Sequence, residues 1–278
     1  MPSIPASVSY SFKGDIWRLL PDEATGLIGI EVRDTASLQV YFCILSPNTP
    51  EMVLDHFQVA ELWWTGLAGF NDKVLYLHGF ERTGHLGQPK GITAIEIATQ
   101  KVLFEEPNAQ WVGQRSGSIL LSEIGAQPKV ITEVDAFSGK VLKAQPNSEP
   151  AIFQENTKSG TQYPVNYPEL YEEGSDYFED LATFLLRHRG HSATGYIEYL
   201  ELDSCFILSY YVVQENGLFV KFLVTYSLNG EALYECCPLK DAERIGGPPF
   251  FVQAGRLFLV QGKNILLSAS IPVNVNFD

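Results

Sequence analysis

Alternating apolar segments, polar hairpin turns between them, and recurrence of that unit at a spacing of about 45 residues predict an all-β protein of β-propeller-like repeats. Four short strands per repeat is the make-up of a propeller blade. The expectation is therefore about five to six four-stranded antiparallel blades, with one helical insertion near 176–189. The 278 residues are read as a single domain, 1–278, with an irregular Tyr- and acid-rich insertion over 146–195.

The first unit takes in Leu27 to Val32 and Val40 to Leu45, turns at Asn48-Thr49-Pro50 and resumes at Met52-Val53-Leu54. In the second, Leu62 to Leu67 and Val74 to Leu77 precede Ile92 to Ile97, which runs through Ala98-Thr99-Gln100-Lys101 into Val102-Leu103-Phe104. The third reads Ala109 to Val112, Ser118 to Leu121 and Val130 to Asp135, then Ser138-Gly139-Lys140 into Val141-Leu142. A further unit holds Phe206 to Val213 and Phe222 to Tyr226, with Asn229-Gly230 leading into Ala232-Leu233-Tyr234. Glycine after Ser or Asn supplies the positive φ that a tight hairpin requires.

The C-terminal stretch has three strands, Phe250 to Val252, Leu257 to Val260 and Ile265 to Leu267. Val8 to Phe12 is expected to complete that sheet and remove an exposed edge. The turns fall near positions 50, 100, 139 and 230, and the widest gap is close to two repeats, so one copy is disguised within 146–195. There Asp176 and Glu179 read as a capping box, and Phe178, Leu181, Ala182 and Leu185 recur at helical spacing. Arg187-His188-Arg189 and then Gly190 close the helix, whose apolar stripe is expected against sheet edges. Two stacked sheets, or a large sandwich, is the alternative architecture.

Val134-Asp135-Ala136-Phe137-Ser138-Gly139-Lys140-Val141-Leu142 resembles the hydrophobic-Asp-x-x-Thr-Gly-Lys core of quinoprotein-type propeller repeats, with Ser138 in the threonine place. Ile95 to Leu103 resembles it less closely, with Gln100 for glycine, and the tryptophan that closes such repeats is absent after both turns. The resemblance implies a propeller and no quinone. As a whole the chain is similar to an uncharacterised bacterial family known as a domain of unknown function, which implies a propeller-like fold and no activity.

Composition narrows the function classes. Hydrophobic residues make up 45% and charged residues 19%, a balance that buries a core. A net charge of −14 repels phosphate backbones and anionic lipid, so neither nucleic acid nor membrane is expected as partner. Met1 to Ser11 is polar and uncharged, unlike an export signal. Cys43, Cys205, Cys236 and Cys237 lack zinc-site spacing and are read as reduced and mostly buried, which places the protein in the cytoplasm.

No Gly-x-Ser-x-Gly elbow, His-Glu-x-x-His or phosphate-cradling glycine loop occurs, so no catalytic residue and no cofactor is assigned. His78, Glu81 and His85 form a His/Glu cluster, but Gly79, Gly84 and Gly87 mark it as a solvated hairpin. His188 and His191 have helical spacing, but Gly190 separates them, so no metal is assigned at either place. Propeller geometry would gather Glu81, Arg82 and His85 with Asp241, Glu243 and Arg244 at a channel mouth, a candidate ligand site. Tyr163, Tyr167, Tyr171, Glu172 and Glu173, with nearby acids, form a candidate docking surface for a basic protein partner. A non-enzymatic binding or scaffold module is the first functional reading. The alternative is a hydrolase or lyase on a small or sugar-like substrate, with the mouth acids and His85 in acid-base roles.

Overall fold

The computed structural model describes residues 8–47, 49, 51–81, 87–125, 130–146 and 162–271. They form antiparallel sheets and one helix, gathered into two compact units, residues 13–163 and residues 1–12 with 164–278.

After β1 (Val8–Ser11), three meanders of four strands follow in sequence order. The first holds β2 (Asp15–Pro21), β3 (Ile28–Asp34), β4 (Gln39–Leu45) and β5 (Met52–Phe57). The second holds β6 (Thr65–Phe70), β7 (Val74–Glu81), β8 (Gln88–Glu96) and β9 (Val102–Glu106). The third holds β10 (Ala109–Arg115), β11 (Ser118–Glu123), β12 (Val130–Asp135) and β13 (Val141–Pro146). Strands β3 and β6 are buried on both faces because the sheets stack; β6 reads as an apolar run, whereas β3 alternates Ile28, Ile30 and Val32 with Gly29 and the buried polar pair Glu31 and Arg33. Phe42 and Ile44 of the first sheet meet Leu67, Leu75 and Leu77 of the second, whose opposite face packs Tyr76 and Ala94 on Ile119 and Leu121 of the third. Close stacking explains Gly69, where a Cβ would lie 2.4 Å from the Trp111 ring.

The repeated motif is a turn whose first residue bonds the hydroxyl three positions on: Asp34 with Ser37, Glu96 with Thr99, Asp135 with Ser138. The next residue takes positive φ in each, at Leu38, Gln100 and Gly139. Those serine bonds hold the Asp34 and Asp135 carboxyls below the usual range. Local hydrogen bonding thus accounts for the recurring turn.

The second unit holds β14 (Val165–Asn166), β15 (Glu169–Glu172), α1 (Asp176–Arg189), β16 (Thr194–Glu201), β17 (Cys205–Val213), β18 (Phe219–Ser227) and β19 (Ala232–Ala242). β20 (Phe251–Gln253), β21 (Arg256–Gln261) and β22 (Ile265–Ser270) end it. β15 to β19 form a five-stranded sheet in sequence order. The last sheet runs β1-β22-β21-β20-β14, so the N-terminal strand does complete it, with Val8 opposite Ser268 and Ser11 opposite Ile265. The described segments of 146–195 form no blade of their own. They give two short strands to two other sheets and supply the helix, a correction to the disguised-repeat expectation.

Helix α1 covers the expected residues, with Gly190 at φ 70 donating to Leu186 O. Its N-cap is Ser175 and not Asp176: the extended backbone there lets Ser175 Oγ accept from Phe178 N at 3.3 Å. Ser175→Ala is expected to cost about 1 kcal/mol, read as a lower urea midpoint at unchanged slope. The helix also lies on a sheet face and not on edges. Phe178 and Leu185 join Ile197, Leu208, Tyr210, Val224 and Tyr226, alternate residues of β16, β17 and β18 that point to one side.

Candidate functional site

β15 is an outer strand of its sheet, paired through Glu169 opposite Tyr199 and Tyr171 opposite Ile197. Among the described residues no strand pairs with its far side. Strand alternation sends Tyr171 toward the helix, where its ring lies 5.2 Å from Tyr177, while Leu170 and Glu172 face the other way. Leu170 is 51% exposed and Tyr177 67%. Glu169, Glu172, Asp176, Glu179 and Asp180 are all exposed around them.

The five residues of the expected docking surface divide by role. Glu172 is exposed, and Tyr167 is exposed with its ring 5.8 Å from Phe251. Tyr171 is half-buried beside the helix, and Glu173 anchors β16 by accepting from Gly195 N at 2.6 Å and Thr194 Oγ1 at 3.3 Å. Tyr163 belongs to the other unit, where its ring covers Gly26 closely enough that a Cβ there would lie 2.9 Å away. Its ring face is occupied by that packing, so the surface reduces to β15 and the start of α1.

Of the expected channel-mouth residues, Arg82 and His85 lie outside the described residues. Glu81 ends β7 and pairs across its hairpin with Lys90 at 3.3 Å. Asp241 and Arg244 belong to the other unit. Asp241, at φ 53, accepts from Gln214 Nε2 at 3.1 Å, and Arg244 is exposed. His78 packs edge-on to Phe80, and burial lowers its pKa. His188 stacks on Phe184 while His191, beyond the helix end, bonds Tyr210 through Nδ1 at 2.8 Å, so the two imidazoles have separate structural partners.

A cavity of about 50 Å³ is lined by Leu239, Gly246 and Gly247, on either side of the expected Asp241, Glu243 and Arg244, together with Ser209 and Lys221, while those three expected residues do not line it. Lys221 Nζ lies 2.9 Å from Glu198 Oε2 and 5.4 Å from the Tyr211 ring centre, with both charged residues more than nine-tenths buried. The Tyr211 hydroxyl donates to Gly246 O at 2.6 Å and so pins the glycine segment. Ser209 Oγ is buried without a hydrogen-bond partner among the described residues. Burial, with Tyr211 as neighbour, holds the Tyr196 hydroxyl far above its usual pKa. Sequence reading missed this cluster because Glu198, Ser209 and Lys221 sit on three strands. The signal was a lysine at an inward position of an apolar strand.

Repeated four-stranded antiparallel meanders define a β-propeller-like class of protein. Residues 21–104 match the model of a family described as a domain of unknown function, DUF4905. No curated protein matches the chain. Among solved structures, the Dos1 propeller is similar at 9% identity, TM-score 0.37, with 94% of each chain covered. A eukaryotic initiation factor follows at 12% identity and TM-score 0.30, covering 100% of this chain and 57% of that one. An endo-arabinase from Bacteroides thetaiotaomicron VPI-5482 is similar at 8% identity and TM-score 0.27, covering 95% of this chain and 96% of that one. Among the described residues, no helix is long and apolar enough to cross a membrane.

Proposed function

We propose that the protein is a non-enzymatic binding module that receives a basic, extended segment of a partner protein along β15. The observation that carries this reading is the outer position of β15, with no described strand beyond it and exposed Glu169, Leu170 and Glu172 along it. A strand laid against that edge gains main-chain hydrogen bonds, and side-chain contacts on both faces give selectivity. Basic residues of the segment would stand beside Glu169 on one face and Glu172 on the other, and the overall charge of −14 would steer them in. All four cysteines are free, which suits a reducing compartment such as the cytoplasm.

Peptides of equal length and graded Lys/Arg content, immobilised in an array, test this. Retention of the purified chain is expected to rise with basic content, weaken with added salt, and fall about tenfold in Glu169→Lys/Glu172→Lys, the equivalent of ~1.4 kcal/mol. Equal retention of neutral and basic peptides, or of the variant, would sink the reading. The cavity with its unmet Ser209 hydroxyl favours a second one, in which a small polar ligand is bound, or acted on by a hydrolase or lyase, beside the segment carrying Asp241 and Arg244.

A further inference from the structure

A separate cluster of metal-ligating side chains lies in the β2–β5 sheet, and it depends on one irregularity of strand pairing. In a regular strand Asp55 and His56 would point to opposite faces. Here the β4–β5 register passes from Phe42 opposite Phe57 to Ile44 opposite Leu54. Two residues of β5, Asp55 and His56, therefore stand against one of β4, Cys43. That count is a β-bulge, and His56 takes the left-handed backbone at φ 50, uncommon outside glycine. Bulges re-aim side chains, and this one brings both toward Cys43. Asp55 Oδ1 lies 3.7 Å from Cys43 Sγ and 2.6 Å from His56 Nδ1, and one donor atom from each residue lies within 4.8 Å of the other two.

We propose that Cys43 Sγ, an Asp55 carboxylate oxygen and His56 Nδ1 bind one divalent cation of the zinc class, with a fourth position open to solvent. Sulfur, imidazole nitrogen and carboxylate oxygen form a mixed donor set that suits zinc and disfavours magnesium or calcium. Tetrahedral zinc spaces such ligands by roughly 3.3–3.8 Å, as follows from its bond lengths. The sulfur–carboxylate separation already has that value. The shorter Asp55–His56 contact opens by rotation of the Asp55 side chain, which is 60% exposed, and the 53% exposure of His56 leaves an entry path. Cys43 is 1% exposed, so its sulfur is shielded from solvent, and its contact on the bulge side is Asp55 Oδ1 at 3.7 Å. The imidazole is held in place by Tyr41, whose ring stacks on it at 4.6 Å and 16°. Tyr41 is in turn fixed by accepting from Lys13 N at 2.8 Å. Burial, then the adjacent Asp55 carboxylate, pushes the Cys43 thiol up to about 12, so without a cation it keeps its proton. A bound cation takes that proton's place and releases it to solvent.

The test is cobalt titration of the full reduced chain in a thiol-free reductant. One equivalent of Co²⁺ is expected to give a thiolate-to-cobalt charge-transfer band that one equivalent of Zn²⁺ removes. Cys43→Ser should abolish the band. His56→Ala and Asp55→Asn change exposed positions, so they should keep the folded circular dichroism spectrum and still lose most of the band. Cys236→Ser/Cys237→Ser should retain it. A folded wild-type chain with no band overturns the proposal. So does a band that persists in His56→Ala and Asp55→Asn or vanishes in Cys236→Ser/Cys237→Ser.

Discussion

Arg33→Met is expected to destabilise the 13–163 unit by about 3–5 kcal/mol, the usual cost of removing one partner from a buried ion pair. Arg33 is 7% exposed and Glu31 is 3%. Arg33 Nε donates to Glu31 Oε1 at 2.7 Å, and the guanidinium also donates to the carbonyls of Trp63 at 3.0 Å and Thr65 at 2.7 Å. The second Glu31 oxygen accepts from Leu67 N at 2.8 Å, so the network ties β3 to β6 and the residues before it. The rings of Trp17, Trp63 and Phe80 lie 5.1–5.8 Å from the guanidinium carbon and shield the pair from water. The substitution strands a buried carboxylate and two carbonyls at once. Thermal unfolding should show a loss of roughly 6–20 °C, at 2–4 °C per kcal/mol. Glu31→Leu/Arg33→Met should recover little, because the carbonyls and the Leu67 N–H stay unpaired. A single-variant cost below about 1 kcal/mol would show that water replaces the guanidinium.

Lys221→Met is expected to cost a similar amount, about 3–5 kcal/mol, by leaving Glu198 buried at 2% exposure without its counter-ion. The contrast comes with the double variant. Among the described residues, Lys221 makes one ion pair, to Glu198, and otherwise faces the Tyr211 ring. Glu198→Leu/Lys221→Met therefore removes both charges and orphans no backbone group, and should return to within about 1 kcal/mol of wild type, or above it. Urea unfolding of the four proteins of this cycle measures the difference. If the double variant is as unstable as Lys221→Met, Glu198 has a role beyond its lysine. The two buried pairs thus separate by what else their charges hold.

Much of the architecture was legible because its signals are local. Alternation and hairpin turns located strands to within a few residues, and the bond from Asp135 to Ser138 made one turn recognisable as a motif. Helix α1 was legible for the same reason, since Phe178, Leu181 and Leu185 repeat at its period and Gly190 ends it. The candidate sites were less so. Tyr163 looked like its neighbours in sequence but packs on Gly26 in the other unit. Lys221 looked like one polar position of an alternating strand, although its side chain is buried beside Glu198.

The sequence by itself determined the all-β class, the blade-like meanders, helix α1 and the completion of the last sheet by the N-terminal strand. These follow from periodicity, turn chemistry and the need to cover a sheet edge. Only the tertiary structure decided which polar groups meet. Glu198 and Lys221 come together across β16, β17 and β18, and Cys43 meets Asp55 and His56 through a one-residue register shift. Register is set by side-chain packing between distant strands, and a slip of one residue reverses which side chains share a face, so no local pattern encodes it.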